Sequence, residues 1–255
     1  LMESLEGKRG HPRPKPPFPA GFGLWGQPTT VNNVESIFNV PFIVNRGVDW
    51  FRAMGTEKSP GAKIFCLSGH VANPGNFELP LGVNLLTVLN DEALGGGPWK
   101  DLPFKAVIPG GSSVPVLTAD ELDVNMDFES LAAAGTMLGS GGVIAMDESV
   151  DMMETLYNLA RFYHHESCGQ CTPCREGSGW TERIMRRFHL NQGREEDLQL
   201  LLDIADQMAG KTICPLADAL AMPVQSHVAK FADDFRKHMG GELPRNVPPS
   251  SWAVG

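Results

Sequence analysis

Residues 166–177, "ESCGQCTPCREG", place three cysteines within seven positions. The spacing is C-x2-C-x2-C, and a fourth cysteine lies forty positions further on, immediately before a proline. Three close cysteines with one remote Cys-Pro are typical of a [4Fe–4S] cubane, which takes four thiolate ligands. The sequence therefore predicts such a cluster, bound by four residues: Cys168, Cys171, Cys174 and Cys214.

Other uses of these thiols are less favoured. Structural zinc sites usually have two paired CxxC knuckles, whereas this chain has a triplet and a single cysteine. A thioredoxin-like redox pair has no use for the third and fourth cysteines, and free or disulfide-bonded cysteines are the remaining alternative. The neighbouring residues favour the cluster. Arg175 and Lys211 can offset its negative charge, while Gly169 and Gly177 let backbone N–H groups approach the sulfurs.

The composition limits the class of protein. The 255 residues carry a net charge of −9, with 42% hydrophobic and 20% charged residues. This is ordinary for a protein with buried cores, and the negative charge argues against a nucleic-acid partner. No window approaches the roughly 18–20 apolar residues of a membrane span, so we expect no direct membrane insertion. Five cysteines are few for a secreted disulfide scaffold of this length and favour a reducing compartment.

The N-terminal region combines a proline-rich loop with the start of a helix. The six prolines within residues 7–30 exclude a helix or a central strand there. The loop is locally basic, so it is either a solvated connection or a segment that faces an anionic ligand or an acidic partner subunit. The spacing of Asn32 and Glu35 is close to that of a capping box, which predicts a helix from about Asn33 that Pro41 kinks or restarts.

The period of the hydrophobic pattern changes to two from residue 62. Residues 63–71 and 75–81 flank the turn-forming "ANPG" and predict a β-hairpin. Cys66 lies in the first strand, where we expect a small buried residue. A short helix over 84–96 and a buried strand over 104–108 follow. Hairpin, helix and strand in this order predict a small β-grasp domain.

From residue 142 onward the pattern is mainly helical. A short strand over 141–147 precedes several segments with helical periodicity. The first segment runs from Ser149, a candidate N-cap, to His164, and the second from Glu176 to Phe188 with Trp180, Ile184 and Phe188 on its buried side. The others run from Glu195 to Met208 and from Pro215 to about Met239. We expect a helical bundle with the cysteine triplet at a helix junction, followed by a loose tail over 241–255.

Six segments carry a resemblance to a known family: "ESCGQCTPCREG", "TICPLADA", "GHPRPKPPFPA", "PTTVNNVES", "SGHVANPG" and "VIPGGSS". Together they resemble the NADH-binding flavoprotein subunit of respiratory complex I, which is the F subunit family of NADH-quinone oxidoreductase. The likeness runs from residue 1 to about residue 239. The segments are also similar to the diaphorase subunits of NAD-linked hydrogenases and formate dehydrogenases.

The resemblance implies an α+β fold in three parts. Residues 1–55 would be the end of a Rossmann-like domain that binds FMN and NADH. Residues 56–140 would be a ubiquitin-like β-grasp domain of the SLBB type, and residues 141–240 a helical bundle carrying the [4Fe–4S] cluster. The family's flavin-binding glycine-rich loop would precede residue 1. We therefore expect only the C-terminal part of the family here, with weak binding of FMN and NADH by this chain alone.

The resemblance also implies site residues. It assigns the cluster ligands to the same four cysteines and two flavin-binding residues to Asn32 and Asn33. Glu3 and Glu6 fall near the flavin and the nicotinamide. No residue of the chain is expected to be an acid–base catalyst, because NADH and FMN carry the hydride chemistry themselves.

The implied function is electron transfer in an NADH dehydrogenase. A hydride passes from NADH to FMN, and electrons leave singly through the cluster to partner iron–sulfur subunits and towards quinone. The implied partners are a thioredoxin-like [2Fe–2S] subunit and a large iron–sulfur subunit. They would hold the protein at the cytoplasmic face of a bacterial plasma membrane, or on the matrix side in mitochondria. The alternatives are a diaphorase subunit of a hydrogenase or formate dehydrogenase, and a non-catalytic iron–sulfur and SLBB interaction module.

Overall fold

The computed structural model describes residues 1–241. By its internal contacts the chain divides into two compact units, Leu1–Ser149 and a second unit that begins at Val150. In the first unit the helices are α1 (Met2–Leu5), α2 (Val34–Arg46), α3 (Val48–Arg52), α4 (Leu85–Asn90) and α5 (Phe128–Ala133). Its strands are β1 (Ala62–Gly69), β2 (Gly75–Pro80), β3 (Phe104–Ile108), β4 (Leu117–Thr118) and β5 (Gly142–Asp147). In the second unit the helices are α6 (Met152–Glu166), α7 (Thr172–His189), α8 (Glu195–Met208) and α9 (Leu216–Arg236).

The first unit contains a five-stranded sheet of order β2-β1-β5-β3-β4. The pairs β1–β2, β3–β5 and β3–β4 are antiparallel, whereas β1–β5 is parallel. The predicted hairpin and the strand over 104–108 are therefore confirmed. The strand over 141–147, however, belongs to this sheet and not to the helical bundle in which we expected it. A short apolar run does not reveal which distant strands it will pair with.

The prediction of a buried Cys66 is wrong. On β1, Phe65 and Leu67 are almost fully buried in the core, and Cys66 between them is exposed. Successive side chains of a strand point to opposite faces of the sheet, so burial of both neighbours turns Cys66 outward. In the register of the hairpin Cys66 lies opposite Asn76, beside the pair of Phe65 with Phe77.

A network of ion pairs organises the N-terminal loop. Arg13 donates hydrogen bonds to Glu3 and, at 3.0 Å, to Oε1 of Glu6. The same oxygen accepts the backbone N–H of Trp25 at 2.8 Å. A hydrogen bond from Lys8, with those from Trp25 and Arg13, lowers the pKa of Glu6 to about 2. Part of the basic charge of the loop is thus paired with acidic residues of the same segment.

Helix α2 begins as predicted, but with a different cap arrangement. Asn33 is the N-cap, and its Oδ1 accepts the backbone N–H of Glu35 at 2.9 Å. The carboxylate of Glu35 instead accepts from Nζ of Lys63 at 2.8 Å and from the backbone N–H of Ile64 at 2.9 Å. Pro41 lies inside the helix, which continues to Arg46 without a restart.

The second unit begins with a cap that differs from the predicted one. Asp151, and not Ser149, caps α6, because its Oδ1 accepts the backbone N–H of Met153 at 2.9 Å and that of Glu154 at 3.2 Å. Ser149 donates its own N–H and hydroxyl to Asp147, at 2.9 and 2.5 Å. Both Asp and Ser are good N-caps, so sequence alone did not choose between them.

Helices α7 and α8 pack closely in the bundle. A Cβ atom on Gly177 would lie 2.5 Å from Cγ and Sδ of Met208, which makes Gly177 a packing residue. The sequence predicts instead that this glycine lets its backbone N–H approach a sulfur. In the same helix Ile184 and Phe188 are buried as predicted, and Phe188 meets Phe235 edge to face with ring centroids 5.5 Å apart. Trp180 is 49% exposed, contrary to the prediction.

Helix α8 has the bounds that the sequence predicts, whereas α7 begins four residues earlier than expected. Among the helices of residues 1–241, none has the length and apolar character that crossing a membrane requires. Apart from residue 241, the predicted loose tail over 241–255 lies outside the described residues.

Candidate metal centre

Three chain segments of the second unit carry the four cysteines of the predicted cluster. Cys168 lies in the loop between α6 and α7. Cys171 is the N-cap of α7, and Cys174 is buried in its first turn. Cys214 comes two residues before α9, whose N-cap is Pro215. The earlier start of α7 therefore places two of the four thiols at a helix N-terminus, where the partial positive charge of the backbone favours thiolates.

The structure brings these segments together. The backbone N–H of Ile213 donates to Sγ of Cys171 at 3.4 Å, which joins the residue before Cys214 to the triplet. The pKa of the Cys174 thiol is raised, first by burial and then by the negative charges of Cys214, Cys168 and Cys171. Coulomb interactions weaken with distance, so the other three cysteines lie near enough to Cys174 to affect its thiol.

The loop of the triplet is held by its own hydrogen bonds. The hydroxyl of Ser167 lies 3.3 Å from Sγ of Cys174, and the backbone N–H of Gly169 donates to Oγ of Ser167 at 3.3 Å. Nη1 of Arg175 donates to the carbonyl oxygen of Gly169 at 3.0 Å. Gly169 has a φ of +76°, a left-handed conformation that glycine adopts without strain.

Arg175 and Lys211, the two cations predicted to offset the charge of the cluster, contact different parts of the second unit. Arg175 is tied to the cysteine loop, and its Nε also donates to Oε1 of Glu176 at 2.9 Å. Nζ of Lys211 instead donates to the carbonyl oxygen of Asp206 at 3.1 Å and to Oε1 of Gln207 at 2.9 Å. Lys211 thus contacts the last turn of α8, where a cation also stabilises the helix dipole.

The donor set fits a cubane cluster. Four thiols match the ligand number of a [4Fe–4S] cluster, and four thiolates that repel one another need the positive charge of bound iron to coexist. Within residues 1–241, no group of three or more His, Cys, Asp or Glu side chains is arranged to hold a single metal ion. The ligands of a cubane bind four different irons, so they lie further apart than the ligands of one ion.

The predicted flavin residues Asn32 and Asn33 lie in the first unit, just before α2. The Oδ1 atom of Asn33 caps this helix by accepting the backbone N–H of Glu35. A cavity of about 120 Å³ opens beside Glu3 and is also lined by His11, Arg13 and other residues of the loop. Sites that enclose a cofactor usually measure about 300–1,000 Å³, so this cavity alone is too small for FMN.

Sequence reasoning missed Ser167 and Ile213, which contact the sulfurs of two predicted ligands, Cys174 and Cys171. Ser167 directly precedes Cys168 and Ile213 directly precedes Cys214, but adjacency in sequence gives no indication of a contact with Cys174 or Cys171. Those contacts depend on how the three segments meet.

Comparison with known proteins places these observations in a family. The family model described as "NADH-ubiquinone oxidoreductase-F iron-sulfur binding region" matches residues 154–238, which include all four cysteines. The NADH-quinone oxidoreductase F subunit of Rickettsia felis is 50% identical over 242 residues, which are 94% of this chain and 57% of that protein. The corresponding F 2 subunit of Rhizobium meliloti is 48% identical over 239 residues, 94% of this chain and 56% of that protein.

Two solved structures contain a chain with a similar fold. The crystal structure of an NAD+-reducing [NiFe]-hydrogenase in the H2-reduced state contains a chain that is 34% identical, with a TM-score of 0.84 over 95% of this chain and 41% of that one. The air-oxidized state gives a TM-score of 0.85 over 98% and 42%. The chain spans about half the length of the curated relatives it matches. Over most of its length the chain is therefore similar to part of the F subunit of NADH-quinone oxidoreductase, and residues 154–238 match the iron–sulfur binding region of that family.

Proposed function

We propose that the protein is the electron-transfer subunit of an NADH dehydrogenase, passing electrons from NADH through FMN to a [4Fe–4S] cluster. From there the electrons continue to partner iron–sulfur subunits and towards quinone. The observation that carries this proposal is the convergence of four cysteines from three segments, inside the part of the chain that matches the family's iron–sulfur binding region. Cys168, Cys171, Cys174 and Cys214 would be the four ligands.

A [4Fe–4S] cluster, when bound, supplies a one-electron carrier. The chain holds the ligands in place: α7 presents Cys171 from its N-cap and Cys174 from its first turn, and the packed bundle fixes that helix. Ile213 and Ser167 contact sulfurs directly, and Arg175 keeps the loop closed. A site supported in this way changes little when charge arrives, which suits electron transfer.

The first unit contains the proposed β-grasp domain of the SLBB type. The strand order β2-β1-β5-β3-β4, with the outer strands antiparallel and β1 parallel to β5, supports this assignment. Helix α4, between β2 and β3, occupies the place of the helix in a β-grasp. Residues 1–55 would complete a Rossmann-like FMN and NADH domain in the longer protein, with Asn32 and Asn33 at the flavin.

The proposed partners are a thioredoxin-like [2Fe–2S] subunit and a large iron–sulfur subunit. They would place the protein peripherally at the cytoplasmic face of a bacterial plasma membrane, or on the matrix side in mitochondria. Kinship with the F subunit of Rickettsia felis, whose name assigns it to a quinone-reducing assembly, supports this arrangement. The net charge of −9 supports the absence of nucleic acid among the partners.

A second candidate function is that of a diaphorase subunit in a NAD-linked hydrogenase or formate dehydrogenase. The structural likeness to the NAD+-reducing hydrogenase favours it. The higher identity to the NADH-quinone oxidoreductase relative, 50% against 34%, favours the first candidate. Mass spectrometry of proteins that copurify with the full-length protein separates them: quinone-reductase subunits support the first, and a [NiFe]-hydrogenase or a formate dehydrogenase supports the second.

Electron delivery from NADH is tested by electron paramagnetic resonance (EPR). The complex, isolated without oxygen and saturated with FMN, should develop the signal of a reduced [4Fe–4S] cluster when NADH is added. A cluster that dithionite reduces but NADH does not would contradict the proposal. That result would support a non-catalytic iron–sulfur module.

A further inference from the structure

The hydroxyl of Ser167 is placed against a proposed cluster ligand by the end of a helix. Ser167 is the C-cap of α6, and its backbone N–H donates to the carbonyl oxygen of Tyr163 at 3.1 Å. This bond fixes the backbone from which the side chain projects. Its Oγ lies 3.3 Å from Sγ of Cys174, within the distance of a hydrogen bond to sulfur.

The surroundings determine the direction of this hydrogen bond. A cluster-bound Cys174 is a thiolate without an S–H group, so only the hydroxyl can donate. The oxygen of Ser167 already accepts the backbone N–H of Gly169 at 3.3 Å. The hydroxyl hydrogen is therefore available to the sulfur, and a chain of two hydrogen bonds runs from Gly169 through Ser167 to Cys174. Each donor in such a chain polarises the next and strengthens it.

A hydrogen bond to a ligand sulfur is stronger when that sulfur carries more negative charge. One-electron reduction of a thiolate-ligated cluster adds one negative charge, part of which resides on the sulfurs. The donor therefore stabilises the reduced state more than the oxidised state, and hydrogen bonds to the sulfurs are among the determinants of cluster potential.

We propose that Ser167 sets the reduction potential of the cluster by donating a hydrogen bond to Cys174. The hydroxyl holds the potential above that of the same site without it. This inference rests on the proposed function, since it requires the cluster. Ser167 contacts a ligand and not the iron, so it is a positioning residue.

The experiment uses the full chain loaded anaerobically with iron and sulfide, in the wild type and in three variants. Ser167→Ala removes the donor, and Ser167→Thr keeps a hydroxyl. Thr212→Val is the matched control, because the hydroxyl of Thr212 donates to the carbonyl oxygen of Cys214 at 2.8 Å and not to a sulfur. Bound iron and sulfide are counted first, and the midpoint potential then comes from a redox titration followed by EPR.

At a fixed applied potential, Ser167→Ala should show a roughly tenfold lower ratio of reduced to oxidised cluster, which for one electron is a shift of about 59 mV to more negative potential. Ser167→Thr and Thr212→Val should stay near the wild type. A fully loaded Ser167→Ala protein with the wild-type potential, or an equal shift in Thr212→Val, overturns the inference and leaves the proposed function intact. A wild type that assembles no [4Fe–4S] cluster overturns both.

If Ser167→Ala does not retain the cluster, a second pair of variants tests the inference. Ser167→Val and Ser167→Thr have nearly the same shape and differ by the hydroxyl. A more negative potential in Ser167→Val than in Ser167→Thr supports the inference, and equal potentials overturn it. If Ser167→Thr retains iron and neither Ser167→Ala nor Ser167→Val does, the hydroxyl holds the cluster in place, and its role in setting the potential is rejected.

Discussion

Nη1 of Arg175 donates a hydrogen bond to the carbonyl oxygen of Gly169 at 3.0 Å. Arg175 directly follows Cys174, and it thus holds the loop that follows Cys168. Because Nε of the same guanidinium binds Glu176, the side chain is fixed at both ends. Its positive charge is held at the carbonyl oxygen of Gly169, in the loop between the first two cysteines.

Arg175→Met should weaken retention of the cluster. It removes both the clamp on Gly169 and the nearby charge, and a hydrogen bond of this kind contributes about 0.5–1.5 kcal/mol, or about two- to tenfold in an equilibrium. We expect iron to be released to a chelator several-fold faster than in the wild type. Arg175→Lys keeps the charge without the planar fork and should lie between the two. Equal release rates in all three proteins would contradict a role for the clamp.

The contact between Gly177 and Met208 predicts that Gly177→Ala destabilises the wild type but stabilises a Met208→Ala background. Gly177→Ala in the wild type forces a buried methionine to move, and such overpacking costs about 1–3 kcal/mol. In a Met208→Ala background the space is open, and the better helix propensity of alanine should stabilise the chain by up to about 1 kcal/mol. The measurement is the urea midpoint of the helical circular-dichroism signal. Destabilisation of equal size in both backgrounds would mean that the contact is absent.

His227 should make the protein less stable in mild acid. Burial lowers its pKa to about 4 from an ordinary 6.5, and Nδ1 lies 2.8 Å from the carbonyl oxygen of Pro223. Within the described residues its buried Nε2 has no hydrogen-bond partner, so a proton there would be an unpaired buried charge. Between pH 6.5 and 4 the unfolded chain binds a proton that the folded chain does not, and stability therefore falls as the pH falls.

The corresponding measurement compares the wild type with His227→Leu. From pH 6.5 to 4 the wild type should lose more unfolding free energy than the variant, by at most about 1.4 kcal/mol per pH unit. Between pH 7 and 8 the two proteins should show nearly the same dependence, because His227 is then largely neutral in both the folded and the unfolded chain. Parallel curves over the acid range as well would show that His227 is not buried in its neutral form.

Local signals explain which parts of the bundle the sequence predicts well. Helix α8 has three acidic residues in its first turn and is followed by Gly210, so both of its ends are marked. Helix α7 begins within "CTPC", where cysteines and a proline suggest a loop. Proline is well tolerated in the first turn of a helix, and Pro173 occupies that position. The missed start matters, because it places Cys174 on the helix itself.

Contacts between distant segments set the limit of prediction. The spacing of the cysteines was enough to propose a cluster, but not that Ser167 reaches Cys174 or that Ile213 reaches Cys171. The outward direction of Cys66 follows from the phase of β1 on its sheet, and β5 joins that sheet through pairing with strands far away in sequence. Periodicity identifies such elements but not their partners.

The most direct test of the central claim is the iron and sulfide content of two cysteine variants, with EPR of the reduced proteins. Cys66 is an exposed cysteine of the sheet and provides the matched control for Cys214. The wild type and Cys66→Ser should bind four irons per chain and show the same reduced [4Fe–4S] signal. Cys214→Ser should bind less iron or show an altered cluster. Equal iron loss in both variants, or an unchanged cluster in Cys214→Ser, would contradict the assignment of the four ligands.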